Sequence, residues 1–473
     1  MHLHNQKYIP PAAHKLFKKF SRSYKKWKKT GDIDYYTMYK SLKKKYRSKI
    51  RTRRAVYEES ILKSQNKQNF FKYIKSKLNS KHSEIIKLID SSGVIVSDPG
   101  EIASMFNKYF SSVYGPETLV DIDDRSLSPG SSIKISTDIV SKALKSNGSQ
   151  YALGIDGIPF IFWKSNIHVL IFTLTKMFQK FLDTGYIPAC WKQGIIKPIF
   201  KGKGSKCDAN NFRPITLTCS LSRIFEKVIL DLIKPNLCNF LNYAQHGYCS
   251  KRSTLSNLLD FYNIVTTKID NGETVAITYF DLSKAFDKLD HQILIDRLNF
   301  YKLPPVVVRI IRSFLKGRTQ CVSVLGSVSF YTQVTSGVPQ GSVLGPTLFI
   351  IYINELFSHT FSGYLSSYVD DLKLLSLKGS EQQQDVARLV SWLENNKLPV
   401  NSKKCSVMYV QSKRPFDDEG VVCKIDTYEL PKLGSVMDLG ILVDANLSFH
   451  LQVQRTRIRS YRLINLSFLI FSF

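Results

Sequence analysis

The chain has 473 residues, 43% of them hydrophobic, which excludes a chain disordered throughout and suits two to four globular domains of about 150 residues each. Its formal net charge of +29 excludes an acidic solvating protein and calls for a polyanionic partner. The bases are interleaved with 12% aromatics, a mixture that favours nucleic acid over a merely solvated basic face.

Charge is concentrated at one end. Residues 15–54 hold twelve lysines and five arginines against Asp32 and Asp34, a net +15. Phe17, Phe20, Tyr24, Trp27, Tyr35, Tyr39, Leu42 and Tyr46 recur at steps of mostly three or four, predicting helices with an aromatic stripe and a basic remainder. Such an arm would grip phosphates without reading sequence. Lys43-Lys44-Lys45 and Arg51 to Arg54 also read as a nuclear localisation patch.

Ser91-Ser92-Gly93 separates the apolar runs 85–89 and 94–96, predicting a hairpin. Asp98-Pro99-Gly100-Glu101 has the form of an N-cap with proline at the first helical position, and Ile102, Met105, Phe106, Tyr109, Phe110 and Val113 would form the inner face. The acidic stretch 115–130 reads as a loop before the main domain. Further on, Val275 to Phe280 is strand-like and ends on Asp281, within Tyr279-Phe280-Asp281-Leu282-Ser283-Lys284-Ala285-Phe286-Asp287. Ser336-Gly337-Val338-Pro339-Gln340-Gly341 follows. Tyr368-Val369-Asp370-Asp371 then places two acids at a hairpin tip between Leu365 and Leu375. Asp370 comes 89 residues after Asp281, a separation that fits neighbouring strands of one sheet whose carboxylates face one cleft. Paired acids are costly unless cations offset them, and nucleotidyl transfer needs such carboxylates to hold two magnesium ions about 3.5–4 Å apart.

The eight cysteines, from Cys190 to Cys423, contain no Cys-x-x-Cys pair and read as reduced core thiols of an intracellular protein. No apolar run reaches the length of about 18 residues needed to span a bilayer, and the start lacks a secretory h-region. The expectation is therefore a nuclear or cytoplasmic protein, neither secreted nor membrane-spanning.

These segments, in this order, resemble the reverse transcriptases of retrotransposons without long terminal repeats, the LINE-type elements. The resemblance runs from about Ala152 to Ser448. Tyr151 to Pro159 resembles the family's extra N-terminal block, and Asn210-Asn211-Phe212-Arg213-Pro214-Ile215 its fingers motif. Gln245-His246-Gly247-Tyr248, Ser253-Thr254, Gly345-Pro346 and Tyr352-Ile353-Asn354 extend the pattern. The resemblance implies an α+β right-hand polymerase with fingers and an antiparallel palm sheet over 131–443, core motifs in 187–443. A basic helical arm (1–60) and a helical linker with a hairpin (61–130) would precede it, and a partial thumb would begin at 444.

It further implies that Asp281, Asp370 and Asp371 hold two Mg2+ ions, with Mn2+ an alternative, and that the Leu282 carbonyl joins the second ion. Phe286 falls where the family places an aromatic gate against the ribose 2′-hydroxyl, and core packing is its other reading. Arg213 and Lys201 are the candidates for clamping the triphosphate, with Lys197 and Lys203 as rivals to Lys201. Gln340 and Gly341 match the turn against the nucleotide sugar and template base. Lys404, in Asn401-Ser402-Lys403-Lys404-Cys405, aligns with a lysine that protonates the leaving pyrophosphate or only faces phosphate. Leu439 and Gly440, in Asp438 to Asp444, match the segment that seats the primer end. His246 and His291 lie near motifs and read as structural groups.

The implied partners are an RNA template, a DNA primer and deoxynucleoside triphosphates, with no membrane. Relatives carry an endonuclease ahead of the basic linker, so the chain is expected to begin inside that linker, with nicking supplied in trans. The apolar Ile464 to Phe473 reads as a core segment cut off mid-domain. Glu355 stands where aspartate is common, which keeps the charge. The competing function is a non-catalytic, nucleic-acid-binding remnant of such an element. A maturase is disfavoured because no maturase-like domain follows, and a retroviral enzyme because the block around Asp156 belongs to the LINE group.

Overall fold

The computed structural model describes residues 11–64, 69–70, 73, 87–120, 133–146, 153–377, 379–411 and 422–470. Ile85 and Ile86 of the expected hairpin, Tyr151 and Ala152, the acidic residues 121–130 and the last three residues lie outside these. The chain divides into two units, residues 1–85 with 452–473, and residues 86–451.

In the first unit, helices Pro11–Thr30 and Ile33–Lys63 form an αα-hairpin. The Asp32 carboxylate caps the second helix by accepting from the Asp34 N–H at 2.9 Å. The aromatic stripe closes the hairpin: Phe17 and Phe20 meet Tyr46, Tyr24 meets Tyr39, and Trp27 meets Tyr36 at 4.6 Å between ring centroids. Each such pair adds about 0.5–1.5 kcal/mol beyond area burial. Lysines project from the flanks, with Lys26, Lys40 and Lys43 over the faces of Tyr35, Tyr36 and Tyr39.

The second unit opens with β1 (Leu88–Ile89) and β2 (Ile95–Val96), paired as expected and held by Asp90, whose carboxylate accepts the Ser92 and Val94 N–H groups. Helix Pro99–Ser111 is capped by Asp98, which accepts from Gly100 and Glu101. Its buried Ile102, Phe106 and Phe110 pack on a five-stranded sheet through Ile196, Phe212, Val322 and Val324. That sheet contains β3 (Gln193–Phe200), β4 (Phe212–Leu217), β6 (Arg318–Val324), β7 (Ser327–Val328) and β8 (Thr332–Val334). The order is β4-β3-β6-β7, and β8 also pairs with β6. The Gly154–Pro159 block docks on the start of helix Ser220–Phe240: the Cys219 thiol donates to Asp156 at 2.9 Å, and a Cβ at Gly154 would lie 2.5 Å from the Thr218 carbonyl oxygen.

The second sheet has the antiparallel order expected of a palm. It is built from β5 (Val275–Asp281), β9 (Tyr364–Tyr368), β10 (Asp371–Leu377) and β11 (Ser406–Val410) in the order β11-β5-β10-β9. The central strand β5 is covered on both faces, which explains the unbroken apolar run Val275-Ala276-Ile277. One face joins the main core with Leu294, Ile311, Phe349 and Leu393. On the other, Phe261 and Val265 of helix Thr254–Asp270 cover Ile277, Leu375 and Met408, together with Val443. Beyond this sheet lie the small hairpins β12–β13 (Lys424–Ile425, Tyr428–Glu429) and β14–β15 (Ser435–Asp438, Ile441–Asp444).

Helix His450–Ile470 follows, entered through Asp444, which accepts the N–H groups of Asn446, Ser448 and Phe449. Of the apolar segment Ile464 to Phe473 expected to be core, Ile464 is 49% exposed, and the side chains from residue 466 on lie outside the described residues. Cys219, Cys321, Cys405 and Cys423 are buried free thiols as expected, but Cys190 is exposed. No helix among the described residues is long and apolar enough to cross a membrane.

Candidate active site

The last residue of β5, Asp281, and the first of β10, Asp371, are direct partners across the antiparallel ladder. Like charges facing each other across a ladder destabilise a sheet, so this pair is a cost that packing alone does not explain. Asp370 occupies the two-residue turn between β9 and β10 with Val369, whose φ of +64° is left-handed and strained for a β-branched residue. Gln245, fully buried, holds that turn. Its Oε1 accepts the Val369 N–H at 3.1 Å and the Gly247 N–H at 2.8 Å, while its Nε2 donates to Ser367 Oγ. A Cβ on Gly247 would meet Val369 Cγ2 at 2.3 Å. The Gln245-His246-Gly247 motif is thus a brace for the carboxylate turn, a role that its sequence does not reveal.

The three acids share one electrostatic environment. Burial and then the Asp281 charge push the Asp370 carboxyl up, with Arg213 opposing them. Asp371 is open to solvent on one side but crowded by protein on the others. That desolvation, and the charges of Asp370, Asp438 and Asp281, raise it to about 6.

Cations converge on the same place. Lys404 Nζ lies 3.3 Å from Asp281 Oδ2. The Lys201 ammonium is held below its ordinary value by burial and then by the charges of Lys404, Arg213 and Lys284. Lys201 Nζ also donates to the Asn210 carbonyl at 2.6 Å. Its rival Lys197 is spent elsewhere, donating to Ser323 Oγ at 2.7 Å. Lys284, not singled out in the sequence, has φ +52° and places Nζ 4.3 Å from the Tyr109 ring centroid. Its position three residues after Asp281 was the available signal. Four clustered cations repel one another and suit a polyphosphate that would neutralise them.

The Ser336–Gly341 loop seats between β4 and the segment 286–289 that follows β5. Gln340 donates from Nε2 to both Asp287 oxygens at 2.9 and 3.0 Å, and its carbonyl accepts the Thr216 N–H at 2.7 Å. Gly341 has φ +115°, and a Cβ there would lie 2.9 Å from the Thr216 carbonyl oxygen. Burial raises the Asp287 carboxyl to about 6 against the hydrogen bond from Gln340. An acid raised in the folded state loses its proton later than in the unfolded chain, so stability falls as pH rises between about 4 and 6. Asp287→Asn is therefore expected to gain up to about 3 kcal/mol relative to the parent between pH ~4 and ~7, read from unfolding midpoints across pH. A pH-independent difference between the two chains would contradict this.

Oxygen donors alone suit a hard divalent cation such as Mg2+ or Mn2+. Asp281, Asp370 and Asp371 supply them at one end of the two inner strands. Among the described residues no three acidic, histidine or cysteine side chains are closed into a ligand cage. Asp281 Oδ2 lies near Lys404 Nζ.

Residues 201–434 match the family described as reverse transcriptase (RNA-dependent DNA polymerase). The chain carries a reverse transcriptase domain over these residues. It is 30% identical over 248 residues to the RNA-directed DNA polymerase from mobile element jockey of Drosophila melanogaster, covering 49% of this chain and 27% of that protein. It is 28% identical over 304 residues to a probable RNA-directed DNA polymerase from transposon X-element of the same organism, covering 61% and 33%. The chain thus spans about a third or less of the length of these relatives. A solved apo telomerase from Candida tropicalis is similar with a TM-score of 0.41 and 13% identity over 62% of this chain and 60% of that one.

Within this reverse transcriptase domain, Phe286 is half-buried and stacks on Phe349 at 4.7 Å between centroids. Leu282 is buried and bridges to Val400. Leu439 (φ +45°) and Gly440 (φ +93°) form the turn between β14 and β15, the left-handed pair of a type I′ hairpin. His291 contacts the Gly337 carbonyl at 2.7 Å, and His246 lies between Ser256 and Asp260. Glu355 pairs with Arg297 and accepts from Trp392 Nε1.

Proposed function

We propose that this chain is an RNA-directed DNA polymerase that adds deoxynucleotides to a primer 3′-hydroxyl on an RNA template. The observation that carries the reading is the Asp281 to Asp371 pairing beside Asp370, faced by Arg213, Lys201, Lys284 and Lys404. Two Mg2+ ions held by the three aspartates and the Leu282 carbonyl would acidify the primer hydroxyl and neutralise charge on the departing pyrophosphate. Arg213 offers a two-pronged contact to phosphate oxygens, and Lys201 and Lys284 add point charges. Lys404, 3.3 Å from Asp281, would release a proton toward the leaving group. Gln340 and Gly341 would lie against the nucleotide, where the absence of a side chain on Gly341 allows close approach. Leu439 and Gly440 would seat the primer end.

The basic helical hairpin would hold nucleic acid by its phosphates, because its rings are engaged with one another and leave few free for base stacking. Such binding is salt-dependent and indifferent to sequence.

The test is extension of a DNA primer annealed to RNA by the purified chain, with deoxynucleotides and magnesium. Template-dependent product supports the reading; nucleic-acid binding without any extension would replace it with the remnant reading. In the same assay Phe286→Ala is expected to admit ribonucleotides, narrowing deoxy-over-ribo discrimination by about tenfold or more, since one lost steric contact is worth about 1–3 kcal/mol. Unchanged discrimination would return Phe286 to core packing on Phe349.

A further inference from the structure

Just inside the carboxylate rim lies an ion pair that the chemistry above does not use. Lys373 follows Asp371 by two residues on β10 and so shares its face of the sheet. It is 3% exposed, its Nζ is 2.5 Å from Asp438 Oδ2, and the Phe261 ring lies against its other side at 4.8 Å. Asp438, 6% exposed, ends β14 and immediately precedes the Leu439-Gly440 turn. The hairpin β14–β15 is a separate two-stranded sheet, so no ladder of hydrogen bonds continues from it into β10.

The surroundings are polar although they are buried. Lys373 faces Tyr279 on β5 and Ser366 on β9 across the ladders. Tyr279 Oη, Tyr262 Oη and Asn257 Oδ1 are buried without a hydrogen-bond partner. Groups of this kind are expensive to keep in a core, and a buried ion pair is no more stabilising than an apolar pair of the same volume. Leucine and methionine would join these elements as firmly. What the ion pair adds is direction: an ammonium and a carboxylate in hydrogen-bond contact fix one register, whereas apolar side chains slide.

We propose that Lys373 and Asp438 are positioning residues that lock the Leu439-Gly440 turn in register with the Asp371 carboxylate, so that a seated primer end is presented to the carboxylate cluster. This rests on the polymerase reading for its consequence, but the anchoring itself does not. The strained Leu439 at the turn fits a segment whose conformation is imposed from outside, because a left-handed non-glycine residue persists only when its surroundings over-determine it.

The experiment compares the parent, Lys373→Met, Asp438→Asn and the double variant Lys373→Met/Asp438→Leu. Three readouts are followed: hydrogen exchange of residues 435–444, with β5 as internal reference, primer and nucleotide KM in extension, and the unfolding midpoint. Each single variant is expected to speed exchange at 435–444 and raise the primer KM by about tenfold, the size of coupling between touching buried groups, with nucleotide KM within about twofold of the parent. In the double variant, restored packing should recover the unfolding midpoint while the primer KM stays raised. A merely structural pair predicts recovery of both, and that result would overturn the proposal, as would unchanged exchange in the single variants. If the parent chain fails to extend at all, the polymerase reading falls, and the exchange data still decide whether the pair anchors the hairpin.

Discussion

Asp281→Asn is expected to lower magnesium-dependent primer extension by more than about 100-fold while leaving the fold intact. The magnitude follows from a comparison: outer-shell partners of a metal ligand already cost about 10–100-fold when removed, and Asp281 would be a ligand itself. Asparagine keeps the volume and the strand pairing of the last residue of β5, so the ladder from Asp281 to Val275 has no reason to open. The change also removes one of two like charges opposed across the sheet, which contributes a stabilising effect of about 0.2–1 kcal/mol. Against this stands the lost contact with Lys404, an exposed pair worth at most about 1 kcal/mol. Extension and unfolding midpoint measured on the same preparation separate the effects. A variant extending at more than a tenth of the parental rate would sink the assignment, and one that unfolds would leave the loss of activity attributable to the fold. Asp370→Asn should behave alike, with a larger gain in stability because that carboxyl is more buried.

Gly337→Ala should be strongly destabilising, because strain and a backbone clash coincide there. The residue sits at φ +77°, and an added Cβ would lie 2.5 Å from the Phe286 carbonyl oxygen and 2.6 Å from that of Asp287. Both contacts are rigid backbone, so the loop must move. It cannot move freely: the Gly337 N–H donates to the Leu289 carbonyl at 2.8 Å, Val338 N–H to Phe286 at 2.8 Å, and Ser336 Oγ to Asp287 at 2.8 Å. The expected cost is about 2–4 kcal/mol, combining left-handed strain with the clash. Loss of extension should accompany it, because Gln340 and Phe286 depend on the same loop. Gly93→Ala is the control: φ is +86° there and a Cβ meets nothing within 4 Å, so only the strain of about 1 kcal/mol remains. Equal destabilisation by the two changes, measured by denaturant unfolding, would refute the role of the clash.

Much of the local structure was legible before the fold. Asp98-Pro99 announced a capped helix because the carboxylate can take the first free N–H groups while proline fills the first helical position, and Ser91-Ser92-Gly93 announced a hairpin. The strand ending on Asp281 and the hairpin carrying Asp370 and Asp371 were likewise visible as apolar runs broken by acids. The choice between Lys201 and Lys197 was not visible, since both are lysines on one short segment. It turned on strand geometry, which points Lys197 at Ser323. The aromatic stripe of the basic arm was read as one face, but its pairing of Phe17, Phe20 and Tyr24 with Tyr46 and Tyr39 needed the helical hairpin. Ile464 shows the reverse: an apolar residue at the start of an expected core segment lies half-exposed.

By itself, then, the sequence determined the chemistry: which carboxylates, which glycines and which aromatic residue are available, because each motif is local and its spacing is set by the strand or turn that carries it. The tertiary structure alone decided how that chemistry is held in place. Gln245 braces Val369 from 124 residues away, Lys284 finds Tyr109, and Lys373 meets Asp438 across 65 residues. These contacts join elements that have no fixed separation in the chain, and only packing of the palm sheet against its neighbours brings them within hydrogen-bonding or van der Waals distance.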